Sequence, residues 1–133
     1  MPNKSTVRKA KEDLREGKSP STAAGEFVHE EIEHVRQGKH GARSPQQAIA
    51  IGLSEARRAG IPLPPPRRGR ASEKTRMSAK RAYEKGQSGA KKTSRKRSRA
   101  RERALKREPK STVSRRALSR HARSAARRRR ARR

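Results

Sequence analysis

Apolar side chains recur at helical spacing in three segments of the first half of the chain. An amphipathic helix needs apolar residues at i, i+3, i+4 and i+7, and the segments at about 6–16, 22–37 and 45–59 each supply such a stripe. The stripes consist of Val7, Ala10 and Leu14, then Ala24, Phe27, Val28, Ile32 and Val35, and finally Ala48, Ile49, Leu53 and Ala56. This pattern predicts a small helical head over residues 1–60.

The third segment has the clearest helix boundaries. Ser44 is placed as its N-cap, and Gln47 three residues later completes a capping box. Together, the second and third helices are predicted to form an antiparallel hairpin, because their connection is short. A hairpin core of roughly ten apolar side chains is marginal for a monomer. We therefore expect the head to form a homodimer or to require a partner.

After the head, apolar residues become sparse. Residues 61–71 form a proline-rich basic linker, in which Ile61 to Pro66 cannot be helical and is predicted to be a polyproline II spacer. A short helix is expected over 72–86, capped by Ser72 and ended by Gly86. Residues 87–133 are a low-complexity tail of Lys, Arg, Ser and Ala.

Charge separates the two halves more sharply than hydropathy. The 133 residues include 40 Lys and Arg against 12 Asp and Glu, and 2% of them are aromatic. Residues 67–133 hold 29 of the basic and 4 of the acidic side chains, a net charge of +25, whereas residues 1–66 have a net charge of +3. High net charge with few apolar residues is typical of disorder. The predicted fold class is mostly α, with a helical hairpin head followed by a largely disordered, nascent-helical tail.

This excess charge indicates a nucleic-acid partner. An interfacial membrane helix would need large apolar side chains opposite its basic face, and the tail has few. The longest apolar run, from Ala48 to Leu53, is too short to span a bilayer and no signal peptide is evident, so we expect a cytoplasmic, nucleoid-associated protein. The sequence contains no cysteine, no P-loop and no recognisable nucleophile–base pair, so we expect neither an enzyme nor a cofactor.

The residues predicted to contact nucleic acid are the arginines of the linker and of two tail clusters, together with one lysine. Arginines on a flexible tail neutralise phosphates without reading bases, so we expect DNA binding without sequence preference. The set is Arg67, Arg68, Arg70, Arg95, Lys96, Arg97, Arg99, Arg101, Arg103, Arg115, Arg116, Arg120, Arg123, Arg127, Arg128, Arg129, Arg130, Arg132 and Arg133. Nascent helices at about 97–107 and 112–132, separated by Pro109, are expected to firm up on binding.

Two shorter motifs have competing interpretations. Arg67-Arg68-Gly69-Arg70 resembles the core of an AT-hook, which places extended arginines in the minor groove. Ala71 replaces the proline that normally follows, and a plain basic linker is the alternative. The loop from Gly38 to Ser44 precedes a helix N-terminus and suits a phosphate, with Lys39, His40, Arg43 and Ser44 as candidate contacts. A tight turn between helices is the alternative there.

The stretch His29 to His34 does not predict a metal site. Its histidines are five residues apart rather than four, so they point about 140° apart around a helix. The single Glu31-x-x-His34 unit is half of what a di-iron bundle needs. We therefore expect an acidic helix face at Glu26, Glu30 and Glu33, solvated or paired with the tail.

The chain contains a series of short motifs: Arg15-Glu16-Gly17-Lys18-Ser19-Pro20-Ser21-Thr22, Gly25-Glu26-Phe27-Val28, Gly38-Lys39-His40-Gly41-Ala42-Arg43-Ser44, Gln47-Ala48-Ile49-Ala50-Ile51-Gly52-Leu53-Ser54, Ala56-Arg57-Arg58-Ala59-Gly60, Leu63-Pro64-Pro65-Pro66 and, as a looser match, Tyr83-Glu84-Lys85-Gly86-Gln87-Ser88-Gly89. Through these motifs most of the chain resembles a family of small basic bacterial proteins of unknown function, whose members often bear automatic labels such as DNA-binding or plasmid-stabilisation protein. The resemblance implies a bacterial cytoplasmic protein and supplies no catalytic residues.

Three functions remain open from the sequence. The leading one is a histone-like, nucleoid-associated protein that neutralises phosphates and bridges DNA. The second is an RNA- or ribosome-associated basic protein. The third is an adaptor whose head binds a protein while the tail anchors it to nucleic acid.

Overall fold

The structure is a computed structural model that describes residues 2–89 and 94–132. Over these ranges the chain forms six α-helices and no strand, which confirms a mostly α protein. The helices are α1 (Lys4–Arg15), α2 (Pro20–Arg36), α3 (Pro45–Arg58), α4 (Glu73–Ser88), α5 (Arg95–Lys106) and α6 (Arg115–Ala131). Each of the three helices predicted in the head is present, displaced by at most two residues at either end.

The prediction of a largely disordered tail is wrong. Residues 95–106 and 115–131 are helices, and Val113 between them has no exposed surface. Serine hydroxyls cap both helices: Ser94 accepts a hydrogen bond from the Arg97 N–H and Ser114 accepts one from the Ala117 N–H. The composition gives the number of apolar residues in the tail but not their positions. In the structure a few buried apolar residues, such as Val113, are enough to order the tail. Residues 90–93 of the predicted tail lie outside the described residues.

The chain forms two compact units, and each combines residues from both halves of the sequence. The first contains the described part of residues 1–31 and 50–93, and the second contains the described part of 32–49 and 94–133. Helices α2 and α3 therefore contribute to both units. The boundary at residue 66 separates regions of different charge, whereas the folded units are discontinuous in sequence.

The core of the first unit is built from small side chains around one aromatic ring. Phe27 and Ile61 are its largest fully buried residues, and the other buried members are Ala10, Ala23, Ala24 and Ala56. Alanine lets helices approach closely, and α2 and α3 are in close contact at Gly52. A Cβ added there would lie 2.6 Å from the Val28 Cα atom, so the helix pair requires glycine at this position.

The proline-rich segment is non-helical, as predicted, but it packs against the first unit rather than extending as a spacer. Ile61 is fully buried and Leu63 packs on the same core. The buried Arg57 side chain fixes the segment, because its Nε donates to the Leu63 carbonyl at 3.2 Å and its Nη2 to the Pro64 carbonyl at 3.1 Å. A run of prolines leaves backbone carbonyls without intrachain donors, and Arg57 satisfies two of them.

Helix α4 begins at its predicted cap but does not end at Gly86. Ser72 accepts from the Thr75 N–H, and the helix continues to Ser88, where Gly89 adopts φ +67°. Gly86 lies inside the helix because a Cβ at this position would overlap the Arg57 carbonyl. Glycine can mark a close packing contact as well as a helix end. At residue 86 the packing contact explains the glycine.

The acidic face predicted on α2 is not fully solvated, because Glu30 is buried and the Glu26 and Glu33 carboxylates pair with Lys9 at 3.4 Å and Arg36 at 3.5 Å. Glu30 and Glu31 are buried, and a Glu30 carboxylate oxygen accepts from the Asn3 N–H at 2.8 Å. Their charges act on Glu55 of α3. Burial, followed by repulsion from Glu31 and Glu30, raises the pKa of Glu55 from 4.5 to about 7, although Arg58 opposes this shift.

We expect Glu55→Gln to stabilise the protein at pH 8 and to have little effect near pH 4. The folded state holds the Glu55 proton more tightly than the unfolded state, so stability from this site is lost as pH rises from about 4.5 to about 7. The full shift corresponds to about 3 kcal/mol, and partial solvent contact reduces the expected gain to about 1–2 kcal/mol. Urea denaturation at both pH values measures the difference. Glu84→Gln, at an exposed position of α4, is the control, and an equal gain at both pH values would contradict this account.

The second unit has a smaller core that includes the tail. Val35, Ala42, Ala48 and Val113 are fully buried, with Ile32 and Leu118 packed against them. Backbone bonds join the tail to the loop after α2: the Gly41 N–H donates to the Leu105 carbonyl and the Ala42 N–H to the Pro109 carbonyl, both at 2.8 Å. Because the tail supplies apolar cover to the hairpin, the small hairpin core no longer argues for a homodimer.

None of the helices in the described ranges combines the length and the apolar character that crossing a bilayer requires.

Candidate nucleic-acid interface

Helix α6 is strongly basic and contains no carboxylate. It has 17 residues, of which eight are arginines. Arginine, alanine and leucine favour helix, and the Ser114 cap starts it, since the Ser114 Oγ lies 3.2 Å from the Ala117 N. The sequence from Pro109 to the end of the chain contains no acidic residue. The arginines of α6 therefore have no carboxylate of their own helix to pair with.

Five of these arginines share one face of α6. At 100° per residue, their spacing places them within an arc of about 80° and along about 21 Å of helix. We call this set the arginine stripe: Arg116, Arg120, Arg123, Arg127 and Arg130, all of which are exposed. Leu118 lies about 160° from the centre of the stripe and packs against the core of the second unit, and Ala117, about 100° from it, is buried. Packing of the apolar side therefore leaves the stripe on the accessible side.

Helix α5 is basic and exposed along almost its whole length. Its Ser94 cap accepts from the Arg97 N–H at 3.3 Å, and none of its residues is buried. The Glu102 carboxylate pairs with the Lys106 ammonium at 3.5 Å, which offsets one positive charge. The predicted contact residues from Arg95 to Arg132 are all exposed, and Arg133 lies outside the described residues.

The loop after α2 differs from the phosphate site that its sequence suggested. The N–H groups of Gly41 and Ala42 donate to tail carbonyls, and the Ser44 Oγ accepts from the Gln47 N–H at 3.1 Å. The Arg43 N–H donates to the Gln47 side chain at 2.6 Å. Half of the predicted capping box therefore forms, because the Gln47 side chain accepts from the Arg43 N–H rather than from the Ser44 N–H that a capping box requires. Both bonds use donors that a phosphate would need. Of the four candidate contacts, the Lys39 and Arg43 side chains are exposed.

Histidine 40 takes part in a contact that sequence spacing does not reveal. Its Nδ1 lies 2.8 Å from the Gly41 carbonyl oxygen, which fits a protonated Nδ1 that donates to this oxygen. Its ring lies edge-to-face with that of His34, with centroids 6.1 Å apart. His34 lies on a helix and His40 in the following loop, so residue spacing within one helix does not reveal this pair.

The AT-hook-like motif adopts a turn. The Arg70 N–H donates to the Arg67 carbonyl at 3.1 Å, and Gly69 has φ +82°. An AT-hook presents its arginines in an extended conformation, whereas here the backbone folds back on itself. Arg67, Arg68 and Arg70 are exposed, which fits the alternative of a basic linker.

Sequence reasoning found the arginines but missed their arrangement. The signal was present, because Arg116, Arg120, Arg123 and Arg127 repeat at intervals of four, three and four residues. In a low-complexity segment the number of arginines is obvious, whereas their helical spacing is easily missed.

Comparison with known proteins gives a partial match. No curated protein and no solved structure matches the chain. The matching part of the chain extends from the residue before α1 to Arg68, so α4, α5 and α6 fall outside it. Over residues 3–68 the chain is similar to a family of unknown function (DUF6496).

Proposed function

We propose that the protein binds nucleic acid, with DNA as the preferred partner, through the exposed basic side chains of α5 and α6. Binding neutralises phosphates and bridges duplexes, as in a histone-like, nucleoid-associated protein. The observation that carries the proposal is the arginine stripe, an array of five exposed guanidinium groups on a helix without a carboxylate. Uncompensated arginines at regular spacing suit a polyanion better than any small ligand.

Affinity without sequence preference is part of this proposal. Helix α6 contains no Asn or Gln, the side chains that pair with adenine in the major groove. Stacking aromatics, which favour single strands and RNA loops, are almost absent from a chain with one Phe, one Tyr and no Trp. The side chains present therefore favour phosphate contact over base stacking.

The residues covered by the family match favour a second function, that of an adaptor. Residues 3–68 resemble a family, whereas the basic helices lie outside the matched range. A role shared by that family would therefore be located in α1 to α3, as in an adaptor whose helical head binds a protein. A bacterial cytoplasmic setting, which the family resemblance implied, fits either function.

A salt series with the full chain tests the main proposal. Each phosphate neutralised on duplex DNA contributes about −0.9 to the slope of log K against log salt, so ten contacts predict a slope near −9. We expect a slope steeper than about −5 for a mixed-sequence duplex. A slope near zero would refute the proposal. Competition between duplex DNA and structured RNA shows which nucleic acid the protein prefers. A tenfold preference for RNA would make RNA, and not DNA, the proposed partner.

A further inference from the structure

The junction between α5 and α6 is fixed to the hairpin at several points. Four hydrogen bonds join it to residues 36–42. They run from the Gly41 N–H to the Leu105 carbonyl at 2.8 Å, from the Ala42 N–H to the Pro109 carbonyl at 2.8 Å, from the Thr112 hydroxyl to the Ala42 carbonyl at 2.7 Å, and from the Arg36 Nε to the Val113 carbonyl at 3.2 Å. Val113 is buried with Val35, Ala42 and Ala48.

The identity of residue 41 points to the same contact. Glycine is required where φ is positive, and Gly41 is not among the positive-φ glycines. A Cβ at Gly41 would instead overlap the Glu108 carbonyl. The absence of a side chain at residue 41 is therefore explained by the approach of the tail backbone.

Both basic helices are tied to this junction. The last turn of α5 supplies the Leu105 carbonyl, and α6 follows Val113 and places Leu118 against the core of the second unit. Neither helix is therefore an independent flexible polycation. Fixing their common junction restricts where the two sets of arginines can lie.

We propose that Gly41 and Thr112 are positioning residues for nucleic-acid binding. By holding the α5–α6 junction on the hairpin, they present the two basic helices as one fixed array that selects double-stranded over single-stranded nucleic acid. This inference rests on the proposed function and deepens it, because it assigns the duplex as the preferred form.

The selection follows from conformational entropy. A duplex has fixed phosphate positions, so a fixed array of cations can match them with little ordering cost to either partner. A single strand must lose backbone freedom to match the same array. A released tail must also lose backbone freedom to match the duplex, so it loses this advantage although its charge is unchanged.

The test compares full-length wild type, Gly41→Ala and Thr112→Val for binding to a 20-base-pair duplex, to a single strand of the same number of phosphates and to inorganic polyphosphate. We expect wild type to prefer the duplex by about tenfold over the single strand. Gly41→Ala should reduce this preference to about twofold. Thr112→Val removes one hydrogen bond and hardly changes the volume of the side chain, so it should give an intermediate duplex preference. Affinity for flexible polyphosphate should stay within about twofold, because no charge changes. Ser111→Ala, at the exposed neighbouring position, is the matched control.

Three results would overturn the inference: equal binding of duplex and single strand by wild type, full duplex preference in both variants, or loss of polyphosphate binding in parallel with duplex binding. Each of these results leaves the proposed function intact, since nucleic acid is still bound by the wild type. Failure of wild type to bind either nucleic acid would instead refute the proposed function. Should Gly41→Ala not fold, as shown by its thermal melt, the milder Thr112→Val decides.

Discussion

Replacing Arg116, Arg120, Arg123 and Arg127 by glutamine is expected to weaken binding to duplex DNA by roughly 10²- to 10³-fold near 0.1 M salt. If all four side chains neutralise phosphates, the slope of log K against log salt becomes shallower by about 3.6. Glutamine is a good helix former, so α6 should keep its structure. Fluorescence anisotropy over a salt series measures affinity and slope together.

Helix α1 provides a matched control for this change. Lys4, Arg8, Lys11 and Arg15 are exposed and repeat at the same intervals of four, three and four residues. Changing these four to glutamine removes the same charge from the same helical pattern. The two helices differ in that α1 contains Glu12 and Asp13, whereas α6 contains no carboxylate.

We expect the α1 variant to lose less than about tenfold in affinity and less than about one unit of slope. Equal effects of the two quadruple variants would show that total charge decides binding and that α6 has no special role. An α6 variant that binds as tightly as wild type would remove the central support for the proposed function.

Local features of the fold could be predicted from the sequence because they depend on neighbouring residues. Ser44 caps α3 through the Gln47 N–H and Ser72 caps α4 through the Thr75 N–H, since each interaction joins groups three residues apart. The stripes of the first half correctly placed three helices, because helical periodicity is also a local property. The tail arginines could be predicted to be exposed because the segment contains so many basic residues and so few apolar ones.

Long-range contacts explain the features that were missed. Val113 contacts residues more than 60 positions earlier, and nothing in its immediate neighbours marks it as a core residue. Gly86 was interpreted as a helix end, yet it adjoins the Arg57 carbonyl. The loop from Gly38 to Ser44 suggested a phosphate site, because nothing in its sequence reveals that the carbonyls of residues 105 and 109 accept from the Gly41 and Ala42 N–H groups.

Together these contacts give the head a role that charge alone did not suggest. The sequence separated a helical head from a basic tail and left the purpose of the head open. The structure joins residues 32–49 and the tail in one unit. On this basis, part of the head serves to order the basic helices, and the remainder, including Phe27 and α1, forms a separate core.

The ordering of the tail by the hairpin predicts a large effect for Val113→Asp. Val113 has no exposed surface and packs with Val35 and Ala48, so the variant places a carboxylate in an apolar core. Burying an unpaired charge costs several kcal/mol, which is comparable with the whole stability of a small unit. We expect the junction to leave the hairpin. Amide hydrogen exchange should show loss of protection at the Gly41 and Ala42 N–H groups, with Phe27 and Ala56 still protected in the first unit.

Ser111→Asp is the control, because it adds the same charge two residues earlier at an exposed position. It should leave the exchange pattern close to that of wild type, and retained protection of Gly41 and Ala42 in Val113→Asp would contradict the assigned packing.

Circular dichroism then separates two sources of helix in the tail. Isolated helices of 12 and 17 residues are marginal in water, and repulsion between neighbouring arginines weakens them further. Release of the junction should therefore lower helicity as well as protection, because docking on the hairpin, more than helix propensity, keeps α5 and α6 ordered in the absence of a polyanion.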